Sequence, residues 1–269
     1  MADSKYVRAV SRKFLIGCVA RALDPGCQMD NMLIIEGEGG IGKSTGIRAL
    51  VPDESWYADS LGDINAKDTL INIQGIWILE LAELAGHSRR ETEAQKAFIT
   101  RVSDRFRPVF GLAAVNHPRY TVFIGTTNRE HYLMDETGNR RYWPVRATSV
   151  DVAGIGRDRD QIWAEAVHAW LEGEAWHLVG DEAGLAKDEQ RERFDDDPWT
   201  STVMKYIQGR DRVSRDEILG VAIGLVEKDR DRRASMRVGS IMRINGWVEK
   251  QSRSGSDRGM RYFVKIEQD

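Results

Sequence analysis

The sequence has little of what marks secreted, membrane-spanning or low-complexity proteins. It holds only two cysteines, Cys18 and Cys27, which are too few for a disulfide framework and have no metal-ligating partners nearby. Only 6 of the 269 residues are proline, while 41% are apolar and 30% are charged, a composition typical of globular proteins. No apolar run approaches the roughly 18 residues needed to cross a bilayer, and the first residues lack the apolar core of a signal peptide. We therefore expect a cytoplasmic protein with no membrane partner.

The small net charge of −3 conceals two regions of opposite charge. Residues 198–269 contain 15 Lys and Arg against 10 Asp and Glu, a balance of +5, so the residues before them carry −8. Between the two regions, Asp195, Asp196 and Asp197 are followed by Pro198, and both charge repulsion and proline disfavour a continuous helix. At about 150 residues per domain, the length also suits two modest domains. We expect the basic region to have a function of its own.

Segments with strand-like and helix-like patterns alternate along the first 180 residues. Apolar residues at helical spacing predict helices, and short apolar runs bounded by turn residues predict strands. The predicted helices are 4–23, 43–50, 91–102 and 158–172. The predicted strands are 32–35, 55–58, 75–81, 106–111, 120–125 and 142–145, with turn residues at 116–118. Such alternation is typical of a parallel α/β sheet, which is the fold class we expect.

A glycine-rich segment follows the first predicted strand. Residues 36–45, EGEGGIGKST, match the pattern GxxxxGKS. Its glycines let backbone N–H groups turn toward phosphate oxygens at the start of a helix, whose dipole favours anions. Lys43 would reach the β- and γ-phosphates, and the Ser44 hydroxyl would bind Mg²⁺; the alternative is an ordinary glycine-rich turn. We expect ATP and Mg²⁺ as cofactors. The predicted nucleotide-binding residues are Gly37, Glu38, Gly39, Gly40, Ile41, Gly42, Lys43, Ser44 and Thr45.

Polar side chains at the ends of two later strands suit the same chemistry. The strand at 75–81 delivers Glu80, and Glu83 follows one turn later, so either carboxylate could polarise a water for attack on the γ-phosphate. We assign Glu80 to the metal and Glu83 to the base, against the alternative of ordinary surface acids. The strand in VFIGTTN delivers Asn128, which would orient the attacking water unless it only caps a turn.

With these three motifs in this order, the chain resembles the virulence-associated protein E family of phage, prophage and pathogenicity-island replication proteins. That family looks related to superfamily 3 helicases and their AAA+ relatives. The resemblance covers roughly residues 33–197. It extends to WILELAEL (77–84), KAFITRVSDRFRPVFG (96–111), FIGTTNREHYLMDETGNRRYWPV (123–145) and RDQIWAEAVHAWLEGEAWHL (159–178). One departure matters, because many AAA+ proteins have adjacent Asp and Glu where Leu81 and Ala82 separate Glu80 from Glu83, which leaves the roles of the two glutamates open.

The resemblance implies an ATPase whose active site lies between neighbouring subunits of a homo-oligomeric, hexameric ring. An arginine beyond the asparagine strand would reach the γ-phosphate of the adjacent subunit, and Arg140 and Arg141 stand there. The alternative for them is a salt bridge to Asp135 or Glu136. The expected fold is a P-loop NTPase core of the superfamily 3 type with a small winged-helix-like α+β domain behind it. The expected domains are an N-terminal helical segment at 1–30, the ATPase core at 31–150, a helical extension at 151–197 and the winged-helix-like domain at 198–269.

Two basic regions are candidates for DNA contact. The resemblance places a hairpin of the central channel at 106–120, with Asn116, His117 and Arg119 near its tip, where basic residues would grip the phosphates of a single strand. The alternative is that these basic residues only form a solvent-exposed face of a helix. The residues that we expect to bind DNA in this region are Lys96, Arg101, Arg105, Arg107, His117 and Arg119.

The region 198–269 has the pattern of a winged helix. Helices are predicted at 203–207, at 218–226 with Ser214 and Glu217 as its cap, and at 235–244, followed by strands at 247–250 and 262–266. The third helix would enter the major groove of duplex DNA, and the wing would approach the phosphates. The residues assigned to these contacts are Arg237 and Arg243 on the helix and Arg253, Arg258 and Arg261 on the wing. The alternative is a domain for protein contacts.

The leading hypothesis is therefore a Mg²⁺-dependent ATPase that acts as a ring-forming DNA helicase or translocase in replication of a phage or another mobile element. No primase is evident in the chain, so a primase or another replication protein is a candidate partner. The alternative is a nucleotide-gated DNA-binding regulatory protein with slow hydrolysis. A small-molecule kinase is a third hypothesis, disfavoured by the absence of a lid-like arginine segment.

Overall fold

The computed structural model describes residues 3–61, 66, 68–82, 89–108, 110–133, 138–194, 197–251 and 261–265. The chain divides into two compact units, Met1–Asp195 and Asp196–Asp269, and each is described by itself. Within the described residues, no helix is both long enough and apolar enough to cross a membrane.

The first unit alternates helices with strands. Its helices are α1 (Lys5–Leu23), α2 (Lys43–Leu50), α3 (Thr69–Asn72), α4 (Arg89–Ile99), α5 (Val152–Leu171) and α6 (Asp181–Glu192), with short 3₁₀ helices at Glu54–Trp56 and Asn139–Arg141. Its strands are β1 (Met32–Glu36), β2 (Tyr57–Ala58), β3 (Ile78–Leu81), β4 (Ser103–Phe106), β5 (Val115–Pro118), β6 (Val122–Thr127) and β7 (Tyr142–Arg146).

Five of these strands form a parallel sheet in the order β2-β3-β6-β1-β7, which confirms the predicted α/β class. Alternate residues of the central strands enter two apolar clusters, as expected for a sheet covered on both faces. Leu33 and Ile124 belong to one cluster, with α1 and α5, while Ile34 and Phe123 belong to the other. Because the strands are parallel, the segments that follow β1, β3 and β6 leave the sheet at its carboxyl edge.

An antiparallel hairpin, β4–β5, corrects two local predictions. The strand predicted at 106–111 ends at Phe106, because Pro108 cannot donate to a ladder and a hydrogen bond from the Gly111 N–H to the Pro108 carbonyl closes a turn. Residues 116–118, predicted as a turn, lie in β5. There His117 stacks on Phe106 with ring centroids 4.1 Å apart, so both strands are fixed by a cross-strand aromatic pair.

The second unit packs short helices on a three-stranded antiparallel sheet of order β8-β10-β9. Its elements are α7 (Thr200–Ile207), β8 (Arg212–Ser214), α8 (Arg215–Glu217), a π-helical turn (Ile218–Ala222), a 3₁₀ helix (Glu227–Asp229), α9 (Arg232–Ile244), β9 (Trp247–Gln251) and β10 (Arg261–Lys265). Its core includes Val203, Ile218, Val238, Met242 and Phe263.

Caps decide where the helices of this unit begin and end. Ser214 and Glu217 form the predicted reciprocal capping box. The predicted helix 218–226 is shorter than expected, because Ile218–Ala222 is a π-helical turn and Gly224 has a φ of +78°. By contrast, α9 begins three residues earlier than predicted, since the Asp231 side chain accepts a hydrogen bond from the Ala234 N–H.

Candidate functional site

The glycine-rich loop, residues 37–42, connects β1 to α2 at the carboxyl edge of the sheet. Gly42 caps α2 with a φ of +90°, a conformation that side chains other than glycine rarely adopt. A Cβ at Gly37 would lie 2.3 Å from the carbonyl oxygen of Ala147, so this position also requires glycine. The Lys43 ammonium bends back over the loop and donates to the carbonyls of Gly37 and Glu38, each at 2.8 Å. All nine predicted nucleotide-binding residues lie in this loop or in the first turn of α2.

Glu80 and Ser44, the two predicted metal-site residues, are in direct contact. The Ser44 hydroxyl on α2 donates to Oε1 of Glu80 on β3 at 2.7 Å. The Glu80 carboxyl group is almost fully buried and accepts two more hydrogen bonds, from the hydroxyls of Thr126 at 2.7 Å and Tyr57 at 2.5 Å. A carboxylate beside a hydroxyl offers the oxygen ligands that Mg²⁺ prefers, and Mg²⁺ commonly takes its remaining ligands from water and phosphate. The donor set therefore fits this ion.

Thr126 and Tyr57 were missed by the sequence analysis. Thr126 is the residue before the last of β6, a strand that is buried along its whole length, and its register partner on β1 is Ile35. The sequence signal for Thr126 was its place near the carboxyl end of β6, the strand that pairs with β3 and its Glu80. Burial and the hydrogen bond to Glu80 raise the pKa of Tyr57, so its hydroxyl stays protonated and serves as a donor to the carboxylate.

Asn128 follows β6 directly and is exposed. It lines a cavity of about 500 Å³ together with Gly37 and Glu38 of the glycine-rich loop. The structure therefore places Asn128 beside the loop, as the strand order requires. Glu83, the predicted base, lies outside the described residues.

A second buried carboxylate, Glu36, borders the same cavity and was also missed. Arg193, which follows α6, donates its Nε to both oxygens of Glu36, at 3.0 and 3.2 Å, and the Tyr132 hydroxyl donates to Oε1 at 2.8 Å. Because Glu36 immediately precedes the glycine-rich loop, these bonds connect the end of α6 to the start of the loop. The two residues are 157 positions apart, so no local pattern announces the pair.

Arg140 and Arg141 lie at the opposite edge of the sheet. They form the 3₁₀ helix that precedes β7, and β7 runs parallel to β1, so both arginines are at the amino edge while the glycine-rich loop is at the carboxyl edge. The Arg140 side chain is exposed, and its carbonyl accepts from Asn31 at 3.2 Å. Arg141 is half-buried. The alternative partners, Asp135 and Glu136, lie outside the described residues.

Of the six residues assigned to DNA in the first unit, three are exposed. Arg101, Arg105 and Arg107 lie at or on the hairpin with exposed side chains, and His117 is half-buried in its stack on Phe106. Two of the predictions are wrong, because Lys96 and Arg119 are buried. Lys96 is 3% exposed, with its Nζ 3.5 Å from Glu93.

Arg119 is 2% exposed and forms a buried ion pair with Asp104. It also donates to the Phe98 carbonyl, so its guanidinium fixes the base of the hairpin rather than meeting DNA. The position of the tip is corrected as well. Asn116 and His117 lie in β5 and Arg119 follows it, whereas the connection at 107–114 forms the tip.

In the second unit, Arg243 on α9 and Arg261 on β10 are exposed, as a DNA contact requires. Arg237 is half-buried, with its Nε 2.5 Å from Asp197 and its guanidinium 3.9 Å from the Trp199 ring centroid, and its assignment to DNA stays a prediction. Arg253 and Arg258 lie outside the described residues. Two further arginines of α9, Arg232 and Arg233, are exposed and precede the predicted start of this helix.

Comparison with known proteins gives one family match. Residues 1–195 match the model of the virulence-associated protein E-like domain. No curated protein sequence matches the chain. The solved apo structure of the NrS-1 C terminal region (305-718) is 11% identical, with 93% of this chain and 70% of that chain covered and a TM-score of 0.48. A structure of JCV helicase with a bound acetamide compound is 9% identical, with 74% and 65% covered and a TM-score of 0.33.

Proposed function

The chain belongs to the family of virulence-associated protein E-like domains, and we propose that it is a Mg²⁺-dependent ATPase with a P-loop, which assembles into a ring and moves or opens DNA during replication of a phage or another mobile element. The observation that carries this proposal is the contact between Ser44 and Glu80 beside the Lys43 ammonium. It joins a phosphate-binding loop to a buried carboxylate, which is the minimum that nucleotide hydrolysis on this type of loop needs.

The residues of the loop bind and orient the nucleotide. Backbone N–H groups at the start of α2 would hold the phosphates, and Lys43 would exchange its two carbonyl partners for phosphate oxygens. Between α1, α2 and α5, a largely apolar cavity of about 590 Å³ includes Phe14, Leu15, Lys43 and Gly46, and it could accept the base.

The carboxyl edge also supplies groups for the reaction. Ser44 and Glu80 would hold Mg²⁺, which when bound neutralises charge on the phosphates. Tyr57 and Thr126 keep the Glu80 carboxylate in a fixed orientation. Asn128 would orient the attacking water, with Glu83 or Glu80 as the residue that polarises it.

A second copy of the chain would complete the site. Transfer of the γ-phosphoryl group to water needs positive charge at the transition state, and arginine fingers supply it. Arg140 is exposed at the edge of the sheet that is opposite its own loop, and we propose that it serves the loop of a neighbouring copy. This arrangement repeated head to tail gives a ring, and we propose a hexamer.

The basic surfaces of the two units suit DNA. The proposed winged-helix domain, 198–269, would place α9 in the major groove, where Arg232, Arg233 and Arg243 are exposed. The exposed arginines of the hairpin would contact a single strand. The domains proposed for the first unit are the helical segment 1–30, the ATPase core 31–150 and the helical extension 151–197.

The experiment that tests this proposal measures ATP hydrolysis by the full chain with and without Mg²⁺ and single-stranded DNA. We expect hydrolysis to require Mg²⁺ and to rise with DNA. Hydrolysis at the same rate with and without DNA, in every oligomeric state, would contradict a translocase.

The alternative, a nucleotide-gated DNA-binding regulator with slow hydrolysis, is favoured by one observation, the basic face of α9. Its signature would be site-preferring duplex binding without ring formation. Gel-shift assays on a pool of duplex sequences, combined with mass photometry, separate the two functions.

A further inference from the structure

The buried carboxylate of Glu36 lies immediately before a loop whose proposed ligand is strongly negative. Glu36 is 6% exposed, whereas Glu38, the other acid of residues 36–45, is exposed to water. Water and salt screen the charge of Glu38, but the charge of a buried carboxylate acts over several ångströms with little screening. Left unpaired, Glu36 would therefore repel the phosphates that the loop is expected to bind.

Arg193 supplies the positive charge that balances Glu36. Its Nε donates to the two carboxylate oxygens at 3.0 and 3.2 Å, and the Tyr132 hydroxyl donates to Oε1 at 2.8 Å. Burial acts to lower the pKa of Arg193, but the hydrogen bonds and the charge of Glu36 outweigh this effect and hold it above its ordinary value. Burial and the charge of Glu36 also raise the pKa of Tyr132, which keeps its hydroxyl protonated. Both partners therefore stay in the protonation state that stabilises a carboxylate.

The backbone of Arg193 is held in place as well as its side chain. The N–H groups of Tyr132 and Leu133 both donate to the Arg193 carbonyl, each at 3.1 Å. These two residues belong to the segment that leaves β6 through Asn128. Glu36, Asn128 and Arg193 border the same cavity of about 500 Å³. Arg193 therefore joins the start of the glycine-rich loop to the segment that carries the predicted water-orienting residue.

Two further acids contact Arg193, but water reaches both of them more easily. Nη1 of Arg193 pairs with Glu189 on the preceding turn of α6 and lies 3.1 Å from Glu192. The side chains of Glu189 and Glu192 are 32% and 76% exposed, against 8% for Glu36. An exposed ion pair contributes little, whereas a buried charge that loses its partner is costly. Glu36 is therefore the acid that depends most on Arg193.

We propose that Arg193 is a positioning residue for the nucleotide site, which allows the glycine-rich loop to accept phosphates by neutralising Glu36. The inference rests on the proposed function and adds a residue to it, one that acts through Glu36 rather than by touching the nucleotide. It predicts unequal effects for the two members of the pair. Loss of the arginine leaves a buried negative charge beside the phosphates, whereas loss of the carboxylate removes that charge.

The test measures binding of a fluorescent ATP analogue by the full chain, with the melting temperature from circular dichroism as the check on folding. Arg193→Gln should raise the Kd about ten-fold, because nearby like charges repel at the effective dielectric constant of a protein site. Glu36→Gln should bind with the wild-type affinity, since glutamine keeps an oxygen acceptor for Tyr132. The double variant Glu36→Gln, Arg193→Gln should restore the wild-type affinity, and Arg193→Lys, which keeps the charge, should retain it.

A matched control and a kinetic measurement make the result specific. Arg191→Gln changes an exposed arginine of α6 in the same way and should leave the Kd unaltered. In steady-state hydrolysis, Arg193→Gln should raise KM for ATP more than it lowers kcat, because the ground state and the transition state are repelled alike. A pair that only stabilises the fold would lower the melting temperature of either single variant without separating their affinities for the analogue.

Three results would overturn the inference. They are wild-type affinity in Arg193→Gln, an equal loss of affinity in the two single variants, or a double variant as weak as Arg193→Gln, which would assign Arg193 a direct contact with the nucleotide. If Arg193→Gln does not fold, the double variant and Glu36→Gln carry the test, since they should bind equally and a weaker double variant would contradict the proposal. If the wild-type chain does not bind the analogue, the proposed function fails as well, whereas the other results leave it standing.

Discussion

The two edges of the five-stranded sheet differ in how their polar side chains are partnered. At the carboxyl edge, the polar groups are matched to one another, since Glu80 accepts hydrogen bonds from Ser44, Thr126 and Tyr57. At the amino edge, Arg140 extends its side chain into solvent. Under the proposed function, the carboxyl edge binds the nucleotide of its own chain, whereas Arg140 would act on the nucleotide of a neighbouring copy.

This contrast follows from strand direction. In a parallel sheet every strand ends at the same edge, so residues distant in sequence, such as Lys43, Glu80 and Asn128, converge there without a special device. Residues before a strand are at the other edge, which lies a full strand length away. Arg140 is therefore distant from its own loop, and under the proposed function it would act on the loop of another copy.

The largest effect is expected for Lys43→Ala at the carboxyl edge. Loss of the ammonium removes the cation that, under the proposed function, would contact the β- and γ-phosphates, so ATP hydrolysis should fall to the background rate. A phosphate-release assay measures it, with Lys187→Ala on the surface of α6 as the matched control. Hydrolysis near the wild-type rate would show that the loop does not bind the nucleotide.

Arg140→Ala should cost about 10³-fold in hydrolysis, the lower end of the effect of an arginine finger, while ATP binding by each chain stays intact. The comparison is with Arg141→Ala, because Arg141 is half-buried and Arg140 is exposed. Titration with a fluorescent ATP analogue separates binding from turnover. An Arg140→Ala variant that hydrolyses normally, beside an inactive Arg141→Ala variant, would transfer the role to Arg141.

Glu80→Gln should lower hydrolysis by about 10²-fold, since an amide keeps the shape of the side chain but loses the charge that a metal ligand needs. We expect the Mg²⁺ concentration for half-maximal activity to rise as well, which an activity titration with Mg²⁺ would measure. Glu54→Gln, an exposed acid on the neighbouring 3₁₀ helix, is the control. An unchanged Mg²⁺ requirement in Glu80→Gln would remove Glu80 from the metal site.

Thr126→Val should have the smallest effect, about ten-fold, because it removes one of the three hydrogen bonds to Glu80 and keeps the volume of the side chain. Steady-state kinetics should show the loss in kcat rather than in KM for ATP. An unaltered kcat would mean that the orientation of Glu80 does not depend on Thr126.

The sequence predicted what depends on local pattern and on strand order. The glycine-rich loop, Glu80 near the carboxyl end of β3 and the capping box at Ser214 each need only a few neighbouring residues, and the structure contains all three. Parallel pairing then explains why Ser44 and Glu80 meet. The assignment of roles to Glu83, Asn128 and the arginines stays a prediction.

The failures come from burial and pairing that the charge of a residue does not reveal. Their charge and their place in or near the expected channel hairpin marked Lys96 and Arg119 as DNA contacts, yet both are buried, and Arg119 is paired with Asp104, 15 positions away. A lone arginine in a sequence does not reveal whether an acid will face it after folding. For the same reason, the contact between Glu36 and Arg193 had no signal in either segment.

The most direct test of a shared site mixes two inactive variants. Lys43→Ala keeps Arg140, and Arg140→Ala keeps the loop, so a mixed ring contains interfaces at which both intact halves meet. With random assembly of equal amounts, about a quarter of the interfaces are complete, and hydrolysis should recover toward that fraction of the wild-type rate. Hydrolysis that stays at the level of the separate variants, in rings shown by native mass spectrometry to be mixed, would contradict the account.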